Sequence, residues 1–338
     1  MKVTPIVLGG QEIYPGQTVR LNIPVAKLYT DDDMFMPITV IRGRKPGPRI
    51  FVSAAVHGDE LNGIEIIRRL LRLKTLKISN GTLILVHIVN VYGVLNKSRY
   101  MPDRRDLNRS FPGSPKGSLA GRLADTFVTE VLSQCDYGID LHTGAMHRSN
   151  LPQVRANLDD EETKALATAF GVPVMLNSDL LDNSLREAGA NIGVKILLYE
   201  AGEALRFDEV SIRAGVRGVL NVLGHLGIVK RKPKSFLKVP YIANHSSWIR
   251  ANSSGIVRDL KHLGDHVLEG EILAVLSSPF GEKLSSVTAS RSGVIIGKQN
   301  IPLAHEGDAL FHLAFFSSPD EVISEDIESF HDDLLPLT

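Results

Sequence analysis

The sequence is poor in several things. It has one cysteine, Cys135, among 338 residues. No intramolecular disulfide can therefore brace it, which fits a reducing cytosol. Cys135 sits in "VLSQCDYGIDL" beside apolar neighbours, where a free cysteine is a buried structural thiol rather than a nucleophile. The chain has no excess charge: 38 basic residues stand against 38 acidic ones. That balance excludes a global pull toward nucleic acid or acidic membranes. Its strongest apolar run, "TLILVHIVNVYGVL", falls well short of the roughly 20 residues a membrane helix needs. The opening "MKVTPIVLGGQEIYPG" carries Pro5, Gly9 and Gly10 where a signal peptide would keep an apolar core. These absences predict a cytoplasmic protein with no nucleic-acid or membrane partner. There is also no Gly-x-Ser-x-Gly elbow and no Gly-x-Gly-x-x-Gly fingerprint, so a serine hydrolase or dinucleotide enzyme has no support.

What is present is ordinary for a soluble globular chain: 43% apolar and 22% charged residues. The length suits two domains. Residues 1–46 read as short strands and turns that pack with the main domain or with a C-terminal β domain. "RIFVSAAV" (49–56) is an unbroken apolar run, the mark of a strand buried on both faces. Ile64, Ile67, Leu70 and Leu71 then repeat at helical spacing, and "GTLILVHIVNV" (81–91) reads as a second buried strand. Strand, helix, strand implies a parallel pair with a right-handed crossover. Further on, 119–134, 159–171 and 208–229 read as helices, and "YGIDLH" (137–142) and "VKILLYEAGE" (194–203) as strands. Residues 47–230 thus form an α/β domain, a sheet flanked by helices. "KRKPKSFLKVP" (230–240) reads as a linker. Residues 240–338 then read as a small all-β domain with a weak internal repeat, 254–279 against 292–319.

Polar residues stand where buried strands end. "VSAAVHGDELNG" runs apolar to Val56, stops at His57-Gly58-Asp59-Glu60 and turns helical. His142 and Glu200 end two other strands. Ligands bind at that edge of an open α/β sheet. Two histidines and a glutamate suit zinc and leave a fourth position for water, whose pKa the metal lowers toward ~7. A lone histidine near a strand end is ordinarily a core or surface residue, and His-x-x-Glu recurs by chance. The strand–helix junction, the small Gly58 and the second strand-end histidine weigh against that reading. The loop "RRDLNRSFPG" (104–113) brings arginines, whose planar fork grips carboxylates, and Asn108, whose amide can donate to the same group. Arg99 is placed to stabilise a developing oxyanion. Metal and carboxylate clamp together point to hydrolysis of a bond in a small anionic substrate.

"HGDE" (57–60), "DLNRSFPG" (106–113), "DLHTG" (140–144) and "YEAGE" (199–203), in that order, resemble the zinc carboxypeptidase superfamily. More closely they resemble its succinylglutamate desuccinylase/aspartoacylase branch. The resemblance implies a carboxypeptidase-like mixed sheet and an appended barrel-sandwich, lipoyl-like β domain. It implies one Zn2+ per chain, held by His57, Glu60 and His142. Glu200 would be the general base and acid, and Arg99 would polarise the scissile carbonyl, with Arg105 as the alternative in that role. Asn108 and Arg109 would hold a substrate carboxylate, and Arg186 would bind another. The implied activity is deacylation of a small N-acyl amino acid. A metallocarboxypeptidase on short peptides and an inactive binding or carrier protein are the rival readings. Lys283 lacks the flanking residues of a carrier attachment site, so the β domain is expected to cap the active-site mouth. The acyl group stays open, as does pairing of an edge strand into a homo-oligomer.

Overall fold

A computed structural model describes residues 4–231, 240–317 and 320–335. It opens with a small hairpin, β1 (Ile6–Leu8) and β2 (Gln11–Ile13), turned through Gly9 and Gly10. Both glycines have positive φ, as a two-residue hairpin turn requires. Next come β3 (Thr18–Lys27), β4 (Asp33–Arg42), β5 (Lys45–Ala54), α1 (Asn62–Arg72) and β6 (Asn80–Val86). After these stand α2 (Val91–Asn96), α3 (Leu119–Glu130), β7 (Tyr137–Gly144), β8 (Arg148–Ala156), α4 (Glu161–Phe170) and β9 (Val174–Asn177). The α/β part closes with α5 (Leu185–Asn191), β10 (Lys195–Glu203) and α6 (Glu209–His225).

The central strands run β9-β8-β10-β7-β5-β6-β4-β3. β5 pairs in parallel with both β6 and β7, and β7 with β10, while β8 runs antiparallel to β10. The sheet is therefore mixed and flanked by helices. β5 shows why its sequence is unbroken. Ile50, Val52 and Ala54 face the core under α1, α4 and α6, while Phe51 packs on the other face with Phe127 of α3. Apolar side chains are needed on both sides.

The predicted strand 81–91 is shorter in the fold. β6 ends at Val86, and the Asn90 side chain caps α2 by accepting from Gly93 N. The helix read over 119–134 stops at Glu130, and a tighter turn, Leu132–Gln134, completes it. Cys135 is buried, as its context predicts, and burial pushes its thiol pKa far up.

The N-terminal strands β3 and β4 continue the sheet beyond β6 rather than forming a separate layer. The read linker, 230–240, lies outside the described residues except at its two ends. Beyond it lie β11 (Tyr241–Arg250), β12 (Gly255–Asp259), β13 (His266–Val267), β14 (Ile272–Ser277) and β15 (Lys283–Thr288). β16 (Gly293–Gln299), β17 (Leu303–Ala304) and β18 (Ala309–Phe316) complete the strands, and a helix, α7 (Asp320–Asp332), comes last. The repeat is real in the fold: β12-β13-β14 and β16-β17-β18 each run long, short, long. The short strands are exchanged, β13 pairing with β16 and β17 with β12. The resulting sheets, β15-β14-β12-β17 and β13-β16-β18-β11, share one apolar core that includes Leu273, Leu276, Phe311 and Leu313. β11 also pairs in parallel with β9, so the C-terminal strands extend the central sheet. Among the described residues, no helix is long and apolar enough to cross a membrane.

Candidate metal centre and active site

β5, β7 and β10 are neighbours and parallel, so their C-terminal ends meet at one edge. Ala54 stands opposite Leu141, and His142 opposite Glu200. Past β5 the chain turns at His57, where Glu60 N donates to His57 O, and enters α1. Gly58 is required there by space. A Cβ on it would stand 2.0 Å from the Gly93 carbonyl carbon of α2, closer than any side chain can sit.

His57, Glu60 and His142 converge. All three are buried, and their ligand atoms lie within 4.8 Å of one another. His57 Nδ1 is 2.7 Å from Glu60 Oε1, His142 Nδ1 is 2.7 Å from Glu60 Oε2, and the two Nδ1 atoms are 3.2 Å apart. The far side of each ring is held by a carboxylate: His57 Nε2 lies 3.1 Å from Asp106 Oδ1, and His142 Nε2 2.7 Å from Asp140 Oδ2. Asp140 also accepts from Ser53 Oγ at 2.7 Å. A carboxylate can only accept, so these outer partners keep a proton on each Nε2 and aim each Nδ1 at Glu60, where it donates in the metal-free protein and would offer its lone pair to a metal. Carboxylate–histidine pairs of this kind orient metal ligands.

Electrostatics agree with that geometry. Burial opposes charge on either imidazole, but Glu60 and Asp106 outweigh it and raise the pKa of His57. Asp140 and Glu60 likewise raise that of His142 well above its ordinary value. Burial would raise the carboxyl of Glu60, yet the two imidazoles hold it far below the usual range. Asp106, between His57 and Arg99, is depressed in the same way. Three electron-pair donors crowd one point, and protons on the rings neutralise them in the metal-free protein. A divalent cation fits the same place, and His–Glu–His with an open fourth position is a donor set that suits zinc.

The centre opens on a cavity of about 460 Å³. His57, His142, Arg99, Asn108, Arg109, Arg186 and Glu200 all line it, and Glu60 lies behind the two histidines. Arg99 bridges carboxylates, with Nη1 3.2 Å from Glu60 Oε1 and Nη2 3.1 Å from Asp106 Oδ2. Arg105 instead pairs with Asp103 on the exposed side of the loop. Asn108 Oδ1 accepts from Leu185 N at 2.9 Å, which ties the loop to the start of α5. The Arg109 side chain donates to the carbonyl of Asn108. Arg186, nearly buried in α5, donates to Ser178 O, Ser178 Oγ and Asp179 O, all neutral acceptors. Burial and the neighbouring Arg155 charge lower its pKa to about 10. Glu200 Oε2 accepts from Asn150 Nδ2 and lies 3.4 Å from Arg155 Nη2.

Several of these participants escaped sequence reading. Asp140 carried a usable signal: two residues before His142 on a strand, it shares the histidine's face. Asp106 and Asn150 carried none, because their contacts cross between elements. The cavity wall formed by Asn244, His245 and Ser246 of β11 was equally hidden. A register irregularity between Ala243 and His245 accompanies three consecutive exposed residues there, where a regular strand would alternate.

The model of the succinylglutamate desuccinylase/aspartoacylase catalytic domain matches residues 46–226. The chain is 28% identical over 297 residues to the N-alpha-acetyl-L-2,4-diaminobutyric acid deacetylase of Halomonas elongata, covering 83% of this chain and 86% of that protein. It is 27% identical over 166 residues to succinylglutamate desuccinylase of Pseudomonas aeruginosa, covering 45% of this chain and 47% of that one. Among solved structures, the product-bound ectoine utilization protein EutE (DoeB) of Ruegeria pomeroyi superposes with a TM-score of 0.80 at 25% identity, covering 92% of this chain and 98% of that one. A succinylglutamate desuccinylase/aspartoacylase from Rhodobacter sphaeroides shares the fold, with a TM-score of 0.79 at 24% identity over 90% of this chain and 96% of that one.

Proposed function

Because this chain belongs to the succinylglutamate desuccinylase/aspartoacylase family, we propose that it is a zinc-dependent amidohydrolase removing the acyl group from a small, anionic N-acyl amino acid. The observation that carries this reading is the buried His57–Glu60–His142 group at the floor of a cavity that also holds Glu200 and four arginines. His57, Glu60 and His142 would hold one Zn2+. Zinc supplies Lewis acidity when bound, polarising a carbonyl oxygen and acidifying water.

The remaining work falls to the chain. Glu200 takes a proton from the attacking water and returns it to the leaving nitrogen. Arg99 stabilises negative charge developing on the carbonyl oxygen. Asn108 and Arg109 grip a substrate carboxylate, and Arg186 offers a second cationic contact. We read the C-terminal sandwich, with its exchanged short strands, as a barrel-sandwich, lipoyl-like domain. Its Lys283 serves no carrier role, and its β11 narrows the choice of substrate. The single buried thiol supports a cytoplasmic setting.

The test is elemental analysis for bound metal combined with amine release from a panel. The panel holds N-acetyl and N-succinyl amino acids, including N-acetyl-L-2,4-diaminobutyrate and N-succinyl-L-glutamate, plus short peptides. One zinc per chain and chelator-sensitive release from acyl amino acids is the expected result. Release from peptides alone would make the protein a carboxypeptidase. No metal and no turnover after zinc is restored would overturn the enzyme reading.

A further inference from the structure

Glu200 does not stand freely in the cavity. Its Oε2 accepts from Asn150 Nδ2 at 2.5 Å and faces Arg155 at 3.4 Å. Asn150 is 7% exposed and sits on β8, beside the register irregularity between Glu200 and Gly202 on β10. A carboxylate only accepts, so the amide presents its NH2 to Glu200 and turns Oδ1 the other way. On that side runs β16 of the C-terminal region, paired antiparallel with β8 so that Gly297 stands opposite Asn150. A Cβ on Gly297 would come 2.9 Å from Asn150 Oδ1 and 3.1 Å from His312 Cβ. A side chain at residue 297 would therefore press on the Asn150 amide and shift it from this position.

We propose that Asn150 is the positioning residue for the Glu200 carboxylate, and that β16 seats it through the space left at Gly297. This rests on the reading of Glu200 as general base. By occupying Oε2, Asn150 fixes the carboxylate plane and leaves Oε1 for proton transfer. The C-terminal strands then contribute to the chemical step as well as to the cavity wall. A route of this kind acts on catalysis and not on substrate affinity, because Asn150 holds the base and not the substrate.

The test is a double-mutant cycle on the full-length, zinc-loaded protein, using the panel substrate that the parent turns over fastest. Asn150→Ala is expected to lower kcat by about 10–100-fold, the usual cost of losing an orienting partner. KM and bound metal are expected to stay at parental values. Gly297→Ala is expected to lower kcat in the same direction, because its methyl displaces the amide. In the double variant the methyl has room, so Gly297→Ala should add no further loss of kcat and no further drop in thermal midpoint. Asn150→Asp keeps the shape, removes the donor and sets a second carboxylate against Glu200. It should lose at least as much activity as Asn150→Ala, and it provides the result if the alanine variant does not fold. A kcat within twofold of the parent for either Asn150 variant, or losses that simply multiply in the double variant, would overturn the proposal. If Glu200→Ala itself keeps normal turnover, it is the role of Glu200 that fails.

Discussion

His142 and Glu200 stand directly opposite each other in the parallel register of β7 and β10. One strand therefore carries a metal-ligand candidate and its neighbour carries the base candidate, at the same level of the sheet. Their spacing is set by main-chain hydrogen bonding and not by a mobile loop, which is how a fixed proton-transfer geometry is held.

Glu200→Ala should separate binding from chemistry. The side chain accepts from Asn150 and forms an ion pair with Arg155, neither of them a candidate ligand, so bound zinc should remain. As a general base, it should account for about 10²–10⁴-fold in kcat. Steady-state kinetics with metal analysis on the same preparation checks this, and near-normal turnover would sink the mechanism.

Removing a ligand and removing its support should differ in degree. His57→Ala should abolish zinc binding. Asp140→Asn keeps the shape but weakens the hold on His142 Nε2 and Ser53 Oγ, and should reduce metal affinity by about 10–100-fold. Competition with a chromogenic chelator measures both. Equal metal affinity in the Asp140→Asn protein would show that this carboxylate does not orient the ligand.

Stability should depend on pH in opposite ways with and without metal. The pKa values of His57 and His142 are raised above their ordinary 6.5 in the metal-free fold. The stability they contribute is therefore fully present below about pH 6.5 and is lost as pH rises through the raised values. Glu60 and Asp106 are depressed below their ordinary 4.5 and 3.8. Their contribution is present above those values and is lost as pH falls through the depressed ones. Metal binds the deprotonated ligands. The gap in thermal midpoint between zinc-loaded and metal-free protein should thus widen as pH rises from about 6 toward 9. A gap that is constant or shrinking across that range would contradict the assigned ligands.

Arg109 is exposed at the cavity wall, and among the described residues its side chain donates to the neighbouring carbonyl of Asn108. Arg109→Ala should raise KM with little change in kcat if its grip on the substrate carboxylate is equal in ground and transition states. The thermal midpoint should not move, since no ion pair of the fold is broken. A fall in kcat at constant KM would instead place Arg109 on the reacting carbonyl.

Much of the fold and the core of the site were legible in the sequence because they have local signatures. Strands β5, β7 and β10 are short apolar runs, and each leads into candidate site residues: His57 with Glu60, His142, and Glu200. β8 escaped for the opposite reason. Asn150 and Gln153 are polar side chains packed inside the protein, and Arg155 beside them is half-buried; they break the apolar run by which a buried strand is recognised. The repeat was visible as a pattern, but the exchange of its short strands was not, since pairing partners over such separations leave no local trace.

The sequence by itself determined the candidate ligand types, the strand ends that carry them and the arginine-rich loop beside them, because alternation, helical spacing and side-chain chemistry act over a few residues. Only the tertiary structure decided which carboxylates grip the far side of each imidazole, that Arg99 and not Arg105 faces the cavity, and that β11 and β16 join the central sheet. Those relationships are set where distant strands pack, by the space a neighbouring chain leaves. At Gly297 that space is the width of a missing methyl group.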